Sequence, residues 1–253
     1  MVVWGCWHGY CYINYMKTYS YEGEVYVMEK LTTIENVLRR IEDGAVIMIG
    51  GFLDGGAPKN LIEGLVKKGV KELIVIANDT AFVDKGIGKL VVNKQVKKFI
   101  VSHIGTNPET GRQMNAGEIE MELVPQGTLA ERIRAGGAGL GGILTPTGIG
   151  TIVEEGKKKI EVAGKEYLLE LPIRADIALI KAYRADAKGN LIFRYASRNF
   201  NPIMATAADY VVAEIEHFVQ TGEIEPNDVM LPGIFVDALV LAQTGNNAKK
   251  GGA

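Results

Sequence analysis

The chain has 253 residues, of which 47% are apolar and 23% charged, an ordinary globular composition that excludes a mostly disordered protein. Its 28 basic and 30 acidic residues leave a net charge of −2, so composition gives no support for binding nucleic acid or an anionic membrane surface. Glycine is enriched, at 31 of 253 residues, which indicates many tight turns or close backbone approaches.

The two ends of the chain differ from its middle. Residues 1–27 hold both tryptophans and both cysteines, with neither strand nor helix periodicity and no signal-peptide pattern, so we expect an N-terminal extension. Residues 244–253 are polar and rich in glycine and lysine, which predicts a flexible tail. The body at 28–243 has no cysteine and no long apolar run, which favours a single cytoplasmic domain without a membrane span.

The first elements read as a strand–helix–strand unit. A capping box at 32–35 and apolar residues at helical spacing predict a helix that ends near Asp43-Gly44. The apolar run 45–49 is typical of a strand buried on both faces. A helix follows at 59–68, closed by Gly69, and a second buried strand at 73–77. The connection between the two strands should be right-handed.

The rest of the body continues the pattern. Further strands are predicted at 99–102, 120–124, 177–181 and 210–213, helices near 128–135 and 200–208, and a hairpin at 159–170. These elements predict an α/β fold, an open and largely parallel sheet with helices on both faces. Residues 136–150 contain seven glycines, too many for a packed helix, and predict a loop.

A glycine-rich segment, Gly-Gly-Phe-Leu-Asp-Gly-Gly-Ala-Pro, occupies residues 50–58 between the first buried strand and its helix. We call it the glycine loop. Ligands of open α/β sheets bind beyond the carboxyl ends of the strands, where such a loop lets backbone N–H groups approach an anion or thioester oxygen. The segment matches neither the dinucleotide-binding nor the Walker pattern. The alternative to a binding loop is a tight turn that only connects the strand to the helix.

Two carboxamides stand at predicted strand ends. Asn78 follows the second buried strand, in Asn-Asp-Thr, and Gln126 follows the strand at 120–124. Together with the glycine loop they indicate a site that stabilises an oxyanion. For the segment at 78–80, turn chemistry is the alternative, because Asn and Asp favour turns. No activated nucleophile is evident, so the residues alone predict half of an active site.

Two other groups attract a catalytic interpretation and are better explained structurally. His103 could act as a general base, but no accompanying pattern supports this, and we expect a structural histidine with satisfied hydrogen bonds. Glu118, Glu120 and Glu122 alternate with apolar residues, which predicts the solvated face of a strand rather than an acid–base cluster.

The sequence also resembles a known family. Residues 43–58 resemble the first signature of the family I coenzyme A (CoA) transferases, and the resemblance extends over about 28–240. Matching segments lie at 76–80, 102–111, 125–139, 145–148 and 197–202. The chain resembles the A (alpha) subunit of 3-oxoacid and acetate/acetoacetate CoA-transferases, which implies the α/β fold shared with ribose-5-phosphate isomerase-like proteins.

The resemblance implies a mechanism and a partner. The nucleophile of the family is a glutamate in a Ser-Glu-Asn-Gly motif of the B (beta) subunit, and that motif is absent here. We therefore expect a B partner, an α2β2 assembly and ping-pong transfer through a glutamyl-CoA thioester. The substrates would be an acyl-CoA and a short-chain carboxylic acid. No metal and no cofactor are implied, because CoA is itself a substrate.

The resemblance also assigns site residues by position. Asn78 and Gln126 match the amides that surround the reacting acyl group, where each would donate to the developing oxyanion. Other positions are implied to bind substrate: Gly50, Gly51 and Phe52 line the cavity, Gly55 and Gly56 allow close approach of a ligand or the partner, and Asn107 contacts the carboxylate substrate.

Alternatives remain at the level of substrate and class. The segment at 103–111 resembles the short-chain acetate, acetoacetate and butyrate type, and the 3-oxoadipate type comes second. A ligand-binding regulator of related fold is the competitor from another class, but residues 1–27 are too few for a DNA-binding domain. A non-catalytic scaffold subunit is a third alternative, and the presence of Asn78 and Gln126 argues against it.

Overall fold

The computed structural model describes residues 30–243, together with the backbone of four short strands that precede them. These strands are β1 (Cys6–Trp7), β2 (Tyr10–Cys11), β3 (Thr18–Tyr21) and β4 (Glu24–Val27). β1 pairs antiparallel with β2, and β3 pairs antiparallel with β4. The predicted flexible tail at 244–253 lies outside the described residues. Within residues 30–243, no helix is both long and apolar enough to cross a membrane.

The elements alternate between strand and helix through most of the chain. The remaining strands are β5 (Val46–Ile49), β6 (Leu73–Ile76), β7 (Val96–Val101), β8 (Glu120–Leu123), β9 (Ile143–Thr145), β10 (Lys159–Val162), β11 (Lys165–Glu170), β12 (Ala175–Asp186), β13 (Leu191–Ile192), β14 (Ala208–Val219) and β15 (Ala238–Leu241). The α-helices are α1 (Ile34–Leu38), α2 (Lys59–Lys68), α3 (Gly88–Val92), α4 (Pro108–Asn115), α5 (Gln126–Gly137) and α6 (Asn201–Thr206).

Seven strands form one parallel sheet in the order β15-β14-β12-β5-β6-β7-β8, and the short β13 adds antiparallel to β12. The predicted open, largely parallel sheet is therefore confirmed. Its central strands are continuous apolar runs because both of their faces are covered. Ile47 and Ile49 of β5 belong to one buried cluster, and Met48 belongs to the other.

The two clusters show which helices cover which face. Leu61 and Leu65 of α2 and Leu90 of α3 pack in the cluster that contains Ile47. Leu129 and Ile133 of α5, with Met204 of α6, pack in the cluster that contains Met48. Helices on both faces, as predicted, leave the carboxyl edge of the sheet as the place where loops gather.

The prediction of a loop over 136–150 is wrong in part. Helix α5 continues through Gly136 and Gly137, and residues 143–145 form β9, which joins β11 and β10 in a separate antiparallel sheet. A Cβ at Gly136 would lie 2.0 Å from the carbonyl oxygen of Ile173. Tertiary packing thus requires a glycine in this helix, and the propensity argument overlooked that requirement. The predicted hairpin at 159–170 is confirmed.

Candidate active site

The glycine loop lies at the point where the strand order reverses. From β5 the sheet runs through β6, β7 and β8 in one direction and through β12, β14 and β15 in the other. A crevice forms at such a switch point beyond the carboxyl ends of the strands, and open α/β sheets bind their ligands there. Residues 50–58 leave β5 into this crevice and end at the N-terminus of α2.

The backbone N–H groups of the loop are directed into the chain. Phe52 and Gly55 exchange two backbone hydrogen bonds, of 2.9 and 3.0 Å, and Gly50 donates to the oxygen of Leu179 at 2.9 Å. The Gly51 N–H donates to Asn199 and the Leu53 N–H donates to Asp79. These five N–H groups already have acceptors, so the expectation that they approach a ligand oxygen is not supported. The loop instead offers a surface of fixed shape.

The glycines of the loop are explained mainly by contacts within the chain. A Cβ at Gly50 would lie 1.8 Å from the side-chain oxygen of Asn201. One at Gly56, where φ is +72°, would lie 2.5 Å from the carbonyl oxygen of Ser197. The close approach expected at Gly56 is therefore made by this chain's own backbone. Gly55 is exposed, and Phe52 beside it is 49% exposed at the tip of the loop.

Asn78 and Gln126, predicted as a pair of amides, lie in direct contact. Gln126 begins α5 beyond the end of β8, and its Nε2 donates to Oδ1 of Asn78 at 2.6 Å. The two residues differ in exposure, because Gln126 is exposed whereas Asn78 is 2% exposed. Gln126 can therefore meet a ligand in the crevice, with Asn78 beneath it.

Asp79 fixes the orientation of Asn78 and was not assigned to the site. Its Oδ2 accepts from Nδ2 of Asn78 at 2.6 Å and from the Leu53 N–H of the glycine loop at 2.8 Å. Its Oδ1 accepts from the Ala81 N–H at 2.7 Å. Asp79 is 3% exposed, so its charge is held by three donors inside the protein. One carboxylate thus links the amide pair to the glycine loop.

The other residues predicted near the site have different roles. The Ser102 hydroxyl donates to the backbone carbonyl oxygen of Asn78 at 2.7 Å. His103 is exposed just beyond the end of β7. Asn107 is 1% exposed and caps α4, accepting from the Thr110 N–H and donating to the Thr80 oxygen. The Asn107 amide is therefore hydrogen-bonded within the chain and makes no hydrogen bond to Asn78 or Gln126.

Of the carboxylates at 118–122, Glu120 and Glu122 belong to the edge strand β8, and Glu118 precedes it. Glu120 of β8 is exposed and pairs with Lys98, whereas Glu122 is half-buried and pairs with Arg132 at 2.7 Å. Both side chains make ion pairs on the outer strand of the sheet. The predicted solvated strand face is confirmed for Glu120, whereas Glu118 lies before the strand and Glu122 is half-buried.

A buried carboxylate holds the far end of the glycine loop. Glu214 of β14 is 1% exposed, and its Oε2 accepts from the backbone N–H groups of Asn60 and Leu61, at 2.8 and 3.0 Å, in the first turn of α2. Burial raises the pKa of the Glu214 carboxyl, while these hydrogen bonds and the charge of Lys181 act in the opposite direction. The start of α2 is therefore fixed by a carboxyl group from a strand on the other side of the switch point.

Comparison with known proteins identifies the family of the chain. The coenzyme A transferase family profile matches residues 31–242. The chain belongs to the coenzyme A transferase family. Among its relatives is the acetate CoA-transferase subunit alpha of Escherichia coli (strain K12), which is 54% identical over 214 residues, or 85% of this chain and 97% of that protein.

Two further members of the CoA-transferase family support the same conclusion. The acetoacetyl-CoA:acetate/butyrate CoA transferase alpha subunit of Clostridium acetobutylicum is 51% identical over 211 residues, covering 83% of this chain and 97% of the relative. A solved acyl-CoA transferase of E. coli O157:H7, in a thioester complex with CoA, superposes with a TM-score of 0.77 at 26% identity. The superposition covers 84% of this chain and 47% of that one, so this chain spans about half of it.

Four residues that shape the site of this CoA-transferase could not be assigned to it from the sequence: Asp79, Asn199, Asn201 and Glu214. Asn199 and Asn201 lie in the segment at 197–202, which carried the family resemblance without an assigned role. The available signal was chemical, because an asparagine side chain both donates and accepts hydrogen bonds and so can bind both backbone groups of a distant loop.

Proposed function

We propose that this chain is the alpha subunit of a CoA-transferase that moves CoA between a short-chain acyl-CoA and a carboxylic acid. The observation that carries the proposal is the accessible Gln126 amide, held by Asn78 at the switch-point crevice of a CoA-transferase fold. Acetoacetyl-CoA, acetyl-CoA and butyryl-CoA are the proposed donors. The names of the relatives from E. coli and C. acetobutylicum support this substrate class.

The proposed chemistry involves no oxidation or reduction. It needs no cofactor, since CoA is itself a substrate. A glutamate carboxylate of the beta partner attacks the thioester carbonyl carbon, the C–S bond breaks, and CoA thiolate leaves a mixed anhydride. The thiolate then attacks the glutamyl carbonyl carbon and expels the first acid as its carboxylate. The resulting glutamyl-CoA thioester reacts with the acceptor carboxylate by the same steps in reverse.

Gln126 and Asn78 have separate roles in this scheme. Each attack places negative charge on a carbonyl oxygen, and a donor preorganised at that oxygen is worth about 3–4 kcal/mol by analogy with protease oxyanion holes. Nε2 of Gln126 has two protons and gives one to Asn78, which leaves the other for the oxyanion. Asn78 is too deeply buried to meet substrate in this arrangement, so we infer that it orients Gln126.

The partner and setting follow from the same proposal. Two relatives are named alpha subunits, which supports a beta subunit as the partner of this chain. We propose that the beta subunit carries the Ser-Glu-Asn-Gly glutamate and that the pair assembles as α2β2. The absence of cysteine from residues 28–243 supports a reducing cytoplasm as the setting.

The test is consumption of acetoacetyl-CoA in the presence of acetate, measured for this chain alone and for its complex with a beta partner. We expect turnover only in the complex, together with formation of acetyl-CoA and free acetoacetate. Borohydride should trap the glutamyl thioester on the beta chain.

Each other outcome has a defined meaning. Turnover by this chain alone would contradict the assignment of the nucleophile to the partner. An assembled complex that ignores acetate but accepts 3-oxoadipate would replace the short-chain acids by the second substrate class. A complex that transfers CoA to no acid would contradict the proposed function.

A further inference from the structure

Asn199 bridges the two limbs of the glycine loop. It lies just before α6, and its Oδ1 accepts from the Gly51 N–H at 3.2 Å on the limb that leaves β5. Its Nδ2 donates to the Gly55 oxygen at 3.0 Å on the returning limb. The same side chain also bonds its own segment, accepting from the Phe200 N–H at 2.7 Å and donating to the Ala196 oxygen at 3.1 Å. Its Oδ1 also accepts from Nδ2 of Asn201 at 3.3 Å, so one carboxamide makes five hydrogen bonds across the loop and its support.

Asn201 holds the base of the loop in the same way. Its side chain is fully buried, and Nδ2 donates to the Gly56 oxygen at 3.0 Å and to the Ser197 oxygen at 2.8 Å. Its Oδ1 accepts from the Lys181 N–H of β12 at 2.9 Å. That oxygen occupies the space that a Cβ at Gly50 would need. The loop and the two asparagines therefore fit without room for adjustment.

The hydrogen bonds from Asn199 and Asn201 fix the glycine loop at the switch-point crevice. The loop leaves β5 at the switch point, and its N–H groups from Gly50 to Leu53 are bonded within the chain. What it offers a ligand is the shape of its outer surface, at the exposed Phe52 and Gly55. A displacement of about 1 Å at a reacting centre can cost roughly 100-fold in rate. Holding that surface still is a contribution to the reaction.

We propose that Asn199 and Asn201 are positioning residues of the acyl-transfer site, which hold the glycine loop in the shape that receives the acyl group. The inference rests on the proposed function, because it assigns the loop to the acyl-binding surface. Neither asparagine touches substrate in this arrangement, and both act through the loop backbone.

The test compares three variants in the complex with the beta partner. Asn199→Ala should lower kcat roughly 10- to 100-fold with a smaller change in KM, and should speed amide hydrogen exchange in residues 50–58. Asn190→Ala is the matched control. Asn190 accepts from the Gly233 N–H and donates to Asp186, at the end of β12. At roughly 3.3 Å per residue, Asp186 lies about 23 Å further along β12 than Leu179, the residue that accepts from the Gly50 N–H. It should leave kcat and exchange in residues 50–58 unchanged.

Asn199→Asp supplies a pH signature that a general loss of stability would not give. As a carboxylate it keeps the acceptor for Gly51 but faces the Gly55 oxygen without a proton. Once protonated it has the shape of asparagine and can donate to that oxygen. The kcat of Asn199→Asp relative to the unmodified complex should therefore rise several-fold from pH 8 to pH 5. This variant also carries the test if Asn199→Ala does not assemble.

The outcomes separate this inference from the proposed function. The positioning role would be overturned if Asn199→Ala had the kcat and the loop exchange of the unmodified complex. It would also be overturned if the kcat of Asn199→Asp relative to the unmodified complex did not change with pH. An equal loss of kcat in Asn190→Ala would also overturn it, because the effect would then not be specific to the loop. If the unmodified complex transfers no CoA, the proposed function fails, and loop exchange in Asn199→Ala still tests whether Asn199 holds the loop.

Discussion

Gln126 donates its side-chain amide to Oδ1 of Asn78 at 2.6 Å, although 48 positions separate the two residues along the chain. Asn78 in turn donates to the buried carboxylate of Asp79. Because Asp79 can only accept, it must face the NH2 end of Asn78, which leaves the Asn78 oxygen for Gln126. The orientation of the accessible amide is thus set by a carboxylate two side chains away.

Gln126→Ala should lower kcat of the assembled complex by roughly tens- to hundreds-fold, because it removes a donor to the developing oxyanion. Its cost to stability should stay within about 0.5–1.5 kcal/mol, since an exposed residue loses one hydrogen bond. Steady-state kinetics and thermal unfolding of the same preparation check both parts. Gln126→Glu keeps the length of the side chain but has no NH2 group, and should be no faster than Gln126→Ala. A fast Gln126→Glu variant would contradict the donor role.

A double-mutant cycle tests whether Asn78 acts through Gln126. Asn78→Ala should also lower kcat, because the orientation of Gln126 is lost. The double variant should then be little slower than Gln126→Ala, since residues that act through one hydrogen bond are not additive. Rate losses that multiply in the double variant would show that Asn78 contributes independently, as the direct oxyanion donor that the family resemblance implied.

Most strands of the parallel sheet could be predicted from the sequence, although β9, β13 and β15 were not. Short apolar runs such as β5 and β6 have to be buried on both faces, so local composition is enough to locate them. Helices α3 and α4 were missed, because Gly88–Val92 is short and Pro108–Asn115 is almost entirely polar. Their pattern does not separate them from loops.

In the site, too, features that depend on local sequence could be predicted, and features that depend on distant contacts could not. Asn78 and Gln126 could be identified as strand-end amides, since the carboxyl ends of neighbouring parallel strands meet at one edge. The reason for Gly50 and Gly56 could not be identified, because it lies in Asn201 and Ser197, roughly 140 to 150 positions further along the chain. Sequence position carries no information about which distant side chain will occupy the space beside a glycine.

Two helix glycines should respond in opposite directions to alanine. Apart from its chain neighbours and the backbone of its own helix, Gly111 in α4 has no heavy atom within 4 Å of the point that a Cβ would occupy. Gly111→Ala should therefore stabilise the chain by roughly 0.5–1 kcal/mol through helix propensity. Gly136→Ala in α5 would place Cβ 2.0 Å from the Ile173 oxygen and should destabilise it by roughly 1–3 kcal/mol. Urea unfolding at neutral pH measures both. A stabilising Gly136→Ala would mean that α5 and residue 173 do not pack as described.

Arg112 should make the chain sensitive to acid. Hydrogen bonds from Arg112 lower the pKa of both Glu109 and Glu118 to about 2, with further help from Gln113 and Lys94 respectively. A lowered carboxyl pKa stabilises the folded state above the usual value near 4.5, and that contribution is lost as the pH falls towards 2. Arg112→Met should therefore be less stable than the unmodified chain at pH 6, with the difference vanishing near pH 2.

Chemical denaturation at a series of pH values measures this difference, and added salt provides the control. The three side chains are on the surface, so 1 M NaCl should reduce the difference at pH 6. A difference that persists undiminished at pH 2 would assign the effect of Arg112 to packing rather than to charge.

Glu214 should show the opposite dependence on pH. Burial raises the pKa of its carboxyl above 4.5, so between 4.5 and the raised value the folded state holds a proton that the unfolded state has released. Stability from this group therefore falls as the pH rises through that window. Glu214→Gln keeps an oxygen to accept from the N–H groups of Asn60 and Leu61 and removes the buried charge. Its melting temperature relative to the unmodified chain should rise from pH 4 to pH 7, and a relative fall would show that the charge at the start of α2 stabilises the fold more than its burial costs.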